Sequence, residues 1–66
     1  MTYNIDHIVE SIHNGQFEQA KEQLQKGCKT KPATQAFRMA GVMNSLSAAP
    51  TCTKAMRVMF AMQFYE

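Results

Sequence analysis

Glu10 and His13 stand at the i,i+3 spacing with which di-iron and di-manganese bundles aim a carboxylate and an imidazole together into a helical core. Asp6 joins that helix face one turn earlier. A metal centre draws ligands from several helices, however, and the later part of this chain supplies no inward acid or histidine. His7 lies well around the helix from His13 and is badly placed to share an ion with it. These residues read as a solvated polar face, and no metal or cofactor is expected.

The two thiols invite a second kind of chemistry. Cys52, near a helix N-terminus, and Cys28, set between Lys26 and Lys29, both occupy positions that favour thiolate. A nucleophile also needs a positioned base, and nothing in the sequence assigns His7 or His13 to that role. The expectation is a small buried Cys52 and an incidental loop Cys28. Two cysteines are too few for a disulfide framework, and their spacing matches no zinc pattern. The chain holds no glycine-rich phosphate loop, HExxH, GxSxG or paired-acid arrangement, and 66 residues leave little room for a dry pocket. It reads as a non-enzyme.

Binding chemistry is better represented. Lys26, Lys29 and Lys31, followed by Thr34, Gln35 and Arg38, would reach phosphates and base edges if the second and third helices formed a helix-turn-helix. The connection is longer than that motif's turn, Ala20 and Gly27 have the wrong separation, and the third helix is apolar for a groove reader. DNA or RNA binding through the segment 26–38 is therefore the alternative. The leading expectation rests on six methionines, Met1 among them, whose unbranched thioethers repack against varied surfaces. Met39, Met43, Met56, Met59 and Met62 fall at core spacing. Together with Val58, Phe60, Phe64 and Tyr65 they make the last helix the best candidate for self-association or partner binding, with Arg57, Val58, Met62, Phe64 and Tyr65 as the contact residues.

The elements that must position these residues follow from periodicity. Asn4 is placed to cap a first helix, with Asp6 in its first turn and Ile5, Ile8, Val9 and Ile12 on one face. Asn14 and Gly15 should end it. A second helix over 16–26 carries a thin stripe of Phe17, Ala20 and Leu24, with Glu22 and Lys26 as an i,i+4 pair, and Gly27 closes it. After a connection over 28–31, Thr30 or Lys31 caps a third helix, with Pro32 in its first turn.

The stretch 33–64 organises the fold. Over 33–46, placed at about 100° per residue, Ala33, Ala36, Phe37, Met39, Ala40, Val42, Met43 and Leu46 fill more than half the circumference, leaving Thr34, Arg38, Gly41 and Ser45 as a narrow wet side. This predicts a central helix covered on several sides. Residues 47–50 interrupt the pattern before Pro50. Thr51 then caps a fourth helix over 51–65, with Cys52, Ala55, Met56, Met59 and Met62 inward and Val58, Ala61, Phe64 and Tyr65 towards the opposite face, alongside Lys54 and Arg57. Alternating strand patterns are absent. The prediction is an all-α single domain over 1–66: a small array of about four short helices in two antiparallel hairpins.

The residues Gly15-x-Phe17-x-x-Ala20-x-x-x-Leu24, with Pro32 beyond them, resemble the turn and second helix of a tetratricopeptide repeat. The resemblance covers about 5–32 and implies a helical hairpin in which the small Ala20 permits close packing. Its aromatic and Leu-Gly positions are not matched in helix one, Gly27 stands where an alanine is usual, and one repeat cannot stack into a solenoid. The family's use of such hairpins, binding other proteins, agrees with the surface argument.

Totals set the bounds. A chain of 66 residues buries only about 60% of its unfolded surface and gains from oligomerisation or a partner. With 45% hydrophobic and 18% charged residues, it is globular in composition and sparing with charge. The net +2 is unevenly divided: residues 1–22 hold Asp6, Glu10, Glu18 and Glu22 against Lys21, a balance of −3, while 23–66 hold Lys26, Lys29, Lys31, Arg38, Lys54 and Arg57 against Glu66, a balance of +5. No leader or spanning segment is evident, so a cytoplasmic protein with reduced thiols is expected. The function expected is an adaptor or a stoichiometric inhibitor, by analogy with short viral and mobile-element accessory proteins, acting as a homodimer or on a protein partner.

Overall fold

The computed structural model of the protein describes residues 3–65; Met1, Thr2 and Glu66, the last of which enters the charge balance, lie outside them. The helices are α1 (Ile5–His13), α2 (Phe17–Gln25), α3 (Pro32–Ala48) and α4 (Lys54–Met62), and no strand occurs among the described residues. The all-α array of four helices is thus as predicted.

Local chemistry explains the boundaries. The Asn4 side chain accepts hydrogen bonds from the amides of Asp6, at 3.0 Å, and His7, at 3.4 Å, satisfying two of the free donors of α1. At the other end the Gly15 amide donates to the Ile12 carbonyl and the Gln16 amide to that of Ser11, closing a Schellman turn with Gly15 at φ +77°. The end of α2 is a tight turn over 25–28: Lys26 is extended, Gly27 has φ +77°, and the Cys28 amide donates to the Gln25 carbonyl at 2.9 Å. Lys31, with Pro32 following, starts α3 without a side-chain cap. The start of α4 is two residues later than predicted. The Cys52 amide bonds the Ala49 carbonyl in a turn around Pro50, so the capping hydroxyl belongs to Thr53, which accepts from the Met56 amide at 3.2 Å.

One core joins all four helices: Ile8 and Ile12 from α1, Ala20 and Leu24 from α2, Val42 and Leu46 from α3, and Phe60 from α4. Pairing is uneven. α1 and α2 pack closely as the predicted hairpin, and α3 and α4 each rest on that pair while barely touching one another. The second predicted hairpin is therefore a platform arrangement, with α3 and α4 held apart.

The burial of α3 also differs from its apolar wheel. Val42 and Leu46 are buried, but Ala33, Ala36, Phe37 and Ala40 are exposed, whereas Thr34, Arg38, Gly41 and Ser45 are half-buried. The wet side points inward. Gly41 faces α1, where the Ile5 Cδ1 lies 3.6 Å from the position of a β-carbon at Gly41. Arg38 turns its Nη1 onto the Leu24 and Lys26 carbonyls at 3.0 and 2.8 Å. α2 has no basic residue in its last turn, and Arg38 supplies the cation that its carbonyl end lacks. This polar docking outweighs the pull of three exposed alanines, each of which has little area to bury.

Candidate interaction surface

Along α4 the buried side is Phe60, flanked by half-buried Met56 and Phe64, a spacing of i, i+4 and i+8 that stacks three large side chains over the core. Phe64 meets Phe60 edge to face, with centroids 5.4 Å apart and planes at 78°. Lys21 of α2 seats this end: its Nζ donates to the Gln63 carbonyl at 2.7 Å and lies 5.5 Å from the Phe64 ring centre. Beyond Met62 the chain tightens into i→i−3 bonds, from the amides of Gln63, Phe64 and Tyr65 to Phe60, Ala61 and Met62.

The opposite side is left bare. Val58, Met59, Met62 and Tyr65 are 47%, 50%, 62% and 82% exposed; the first three span an arc of about 100° on α4, and Tyr65 lies just beyond its end. Of the predicted contact residues, Val58, Met62 and Tyr65 lie on this face and Arg57 is half-buried at its margin. Phe64 is corrected to a core-packed position, because the terminal tightening turns its ring onto Phe60; Phe60 itself is fully buried. Met59, expected inward, is exposed, lying about 100° around α4 from the buried Phe60. Met62 and, on α3, Phe37, 81% exposed, are two more large apolar side chains expected inside that the structure places outside.

The basic segment fares differently. Lys26, Lys29 and Lys31 are exposed, but Gln35 and Arg38 are half-buried and engaged. Gln35 Nε2 donates to the carbonyls of Cys28 and Lys29 at 2.9 and 2.8 Å, and its Oε1 accepts from Gln25 Nε2 at 3.1 Å. The Arg38 guanidinium also stacks 4.4 Å from the Tyr3 ring centre, while the Tyr3 hydroxyl donates to the Arg38 carbonyl at 3.5 Å. Burial raises the Tyr3 phenol above its ordinary pKa of 10.0, against the opposing pull of the Arg38 charge. The two side chains proposed to read base edges thus hold the connection between α2 and α3, leaving three lysines for phosphate.

The remaining candidates are dispersed. Cys28 is buried, its thiol donating to the Leu24 carbonyl at 3.5 Å, and Cys52 is only half-buried, the reverse of the expectation, because the turn over 25–28 folds Cys28 under the end of α2. Asp6, His7 and Glu10 are exposed and His13 is half-buried, its Nε2 without a hydrogen-bond partner. No group of three or more His, Cys, Asp or Glu side chains able to hold a metal ion occurs among the described residues. Two open depressions mark the surface. One follows the charged side of α2 past Glu18, Lys21 and Glu22, and the other runs between Pro32, Ala36 and Met39 of α3 and the Phe64–Tyr65 end, across the gap where α3 and α4 barely touch. Neither is lined by a cysteine or a histidine. Among the described residues, no helix is long and apolar enough to cross a membrane.

Comparison of the chain with family models, with curated proteins and with solved structures finds no match. None of these comparisons supports the resemblance of residues 5–32 to a tetratricopeptide repeat; the structure shows α1 and α2 packed as a hairpin with Ala20 buried.

Proposed function

We propose that this chain is a non-enzymatic protein–protein interaction module that binds through the exposed face of α4, acting as an adaptor or a stoichiometric inhibitor in the cytoplasm, where Cys28 and Cys52 stay reduced. The observation that supports this reading is the exposure of Val58, Met59 and Met62 on one arc of α4, with Tyr65 just beyond its end, on a helix whose other side is already packed. Contiguous apolar surface of this kind is uncommon on a monomer and characteristic of an interface. Burying one such side chain contributes about 1.5–3 kcal/mol, so three or four sustain a stable complex. Methionine suits the role, because its side chain conforms to a partner at little rotameric strain. No metal, cofactor or substrate enters this reading.

The test separates surface from core. Val58→Asp and Met62→Asp change residues on the exposed face and should leave the far-ultraviolet spectrum and cooperative unfolding intact while abolishing association, followed as mass by light scattering and as co-purification with the tagged chain. Phe64→Asp, which buries a carboxylate against Phe60, should unfold the protein instead. Association undiminished in both Val58→Asp and Met62→Asp would remove the interface from α4.

A further inference from the structure

We infer that the α4 face takes an acidic amphipathic segment of another protein, a helix with large apolar residues on one side and Asp or Glu beside them. The inference rests on the proposed interface and adds the chemistry of its occupant. From Gln23 to Tyr65 the sequence contains no Asp or Glu, and at about 100° per residue the exposed arc of α4 runs from Lys54 through Val58 and Met62 to Met59, with half-buried Arg57 about 60° beyond the Lys54 edge. Neither cation has an ion-pair partner among the described residues. Among the described residues the face therefore presents an apolar stripe with a positive edge on its Lys54 side and nothing negative within it, Glu66 lying outside those residues. Its complement is an apolar stripe with a negative border.

A second copy of the chain meets only half of that requirement at a time. Its α4 offers apolar area bordered by more cations. Its α1 and α2 offer Asp6, Glu10, Glu18 and Glu22 but expose no large apolar side chain among the described residues. An anionic lipid surface is likewise a poor match, since polybasic recognition of lipid headgroups uses about four to eight cations and this border has two.

The probes are three 18-residue amphipathic helical peptides with the same Leu and Phe face, one bearing Glu on its border, one Lys and one Gln, titrated into the full chain while its amide resonances are followed by NMR. The Glu peptide should shift Val58, Met59, Met62 and Tyr65 and bind about tenfold more tightly than the Lys peptide at low salt, with the gap closing several-fold at high salt. Lys54→Glu combined with Arg57→Gln should erase or invert the preference; Lys54 sits in the first turn of α4, where a carboxylate suits the helix dipole, so the variant should remain folded. Equal binding of all three peptides at α4 overturns the acidic partner and keeps the interface. Shifts centred elsewhere, or no binding by any peptide, overturn both. Self-association through α4 in the absence of peptide, or tighter binding to phosphatidylserine vesicles than to the Glu peptide, overturns the inference in favour of a second copy or a membrane.

Discussion

Replacing Arg38 separates its two readings, because as a phosphate contact it is dispensable for folding and as a brace between helices it is not. One Nη1 serves two carbonyls, at 3.0 Å to Leu24 and 2.8 Å to Lys26, so the pair is counted as one charge-assisted donor, a net contribution of about 1.5–3 kcal/mol. Stacking on Tyr3 at 4.4 Å adds about 0.5–1 kcal/mol. Water can reach the exposed Lys26 carbonyl once the guanidinium is gone, and this returns part of the loss. Arg38→Ala should therefore cost about 2–3 kcal/mol. A chain of 66 residues has roughly 3–10 kcal/mol of stability in total, so the midpoint of thermal unfolding should fall by roughly 10–20 °C. Arg38→Lys is the informative companion: it keeps the charge but has neither the planar fork nor the flat face that stacks on Tyr3. Bracing predicts that the lysine variant recovers less than half of the loss, whereas a phosphate contact predicts no appreciable loss in either variant. Urea unfolding followed by circular dichroism measures both. A value for Arg38→Ala within about 0.5 kcal/mol of the parent protein would refute the brace and restore Arg38 to the nucleic-acid reading.

Two further outcomes follow from single contacts. Gly41→Ala should stabilise the protein by about 0.5–1 kcal/mol, since a β-carbon there meets Ile5 at an ordinary 3.6 Å and the interior of α3 loses its most flexible residue; destabilisation in urea would show that α1 and α3 lie closer than described. The Tyr3 phenol, held above its usual pKa by burial, stays neutral in the folded chain at pH values where the unfolded chain has begun to ionise. Its contribution is therefore complete below about pH 10 and is lost as pH rises through the higher folded value. In a Tyr65→Phe background, phenolate absorbance should titrate at higher pH in buffer than in denaturant, and Tyr3→Phe should flatten the alkaline fall in stability; coincident titrations in the two solvents would contradict the burial.

Where one residue's backbone preference decides the local structure, the sequence is legible. Asn4 caps α1, Gly15 and Gly27 take the left-handed conformation, and the stripes of Ile8 with Ile12 and of Ala20 with Leu24 become the core. Each of these is a short-range choice that periodicity or chirality makes almost alone. Legibility fails where helices compete for one platform. A wheel ranks residues by apolarity, but alanine adds little to the rank in free energy, and Ala33, Ala36 and Ala40 widened the apolar arc of α3 without giving it a reason to turn inward. In α4 the apolar pattern points to the Met59 side, but the aromatic side carrying Phe60 is the one buried. The Met56, Phe60 and Phe64 spacing was present in the sequence and was the usable signal.

The same competition accounts for the candidate surface. Two long-range polar contacts set the orientation of the later helices: Arg38 of α3 closes the carbonyl end of α2, and Lys21 of α2 closes that of α4. Each of α2 and α4 lacks a basic residue in its own last turn, so the cation arrives from a neighbour and ties the rotation of α3 and of α4 to α2. With Arg38 turned inward, Phe37, one residue earlier and about 100° around α3, is carried outward; with Phe60 and Phe64 drawn towards Lys21, Val58 and Met62 are carried outward in turn. The exposed apolar residues are thus the geometric counterpart of the way the helix ends are satisfied. They lie outside because α3 and α4 each answer to α2, which keeps the two from covering one another.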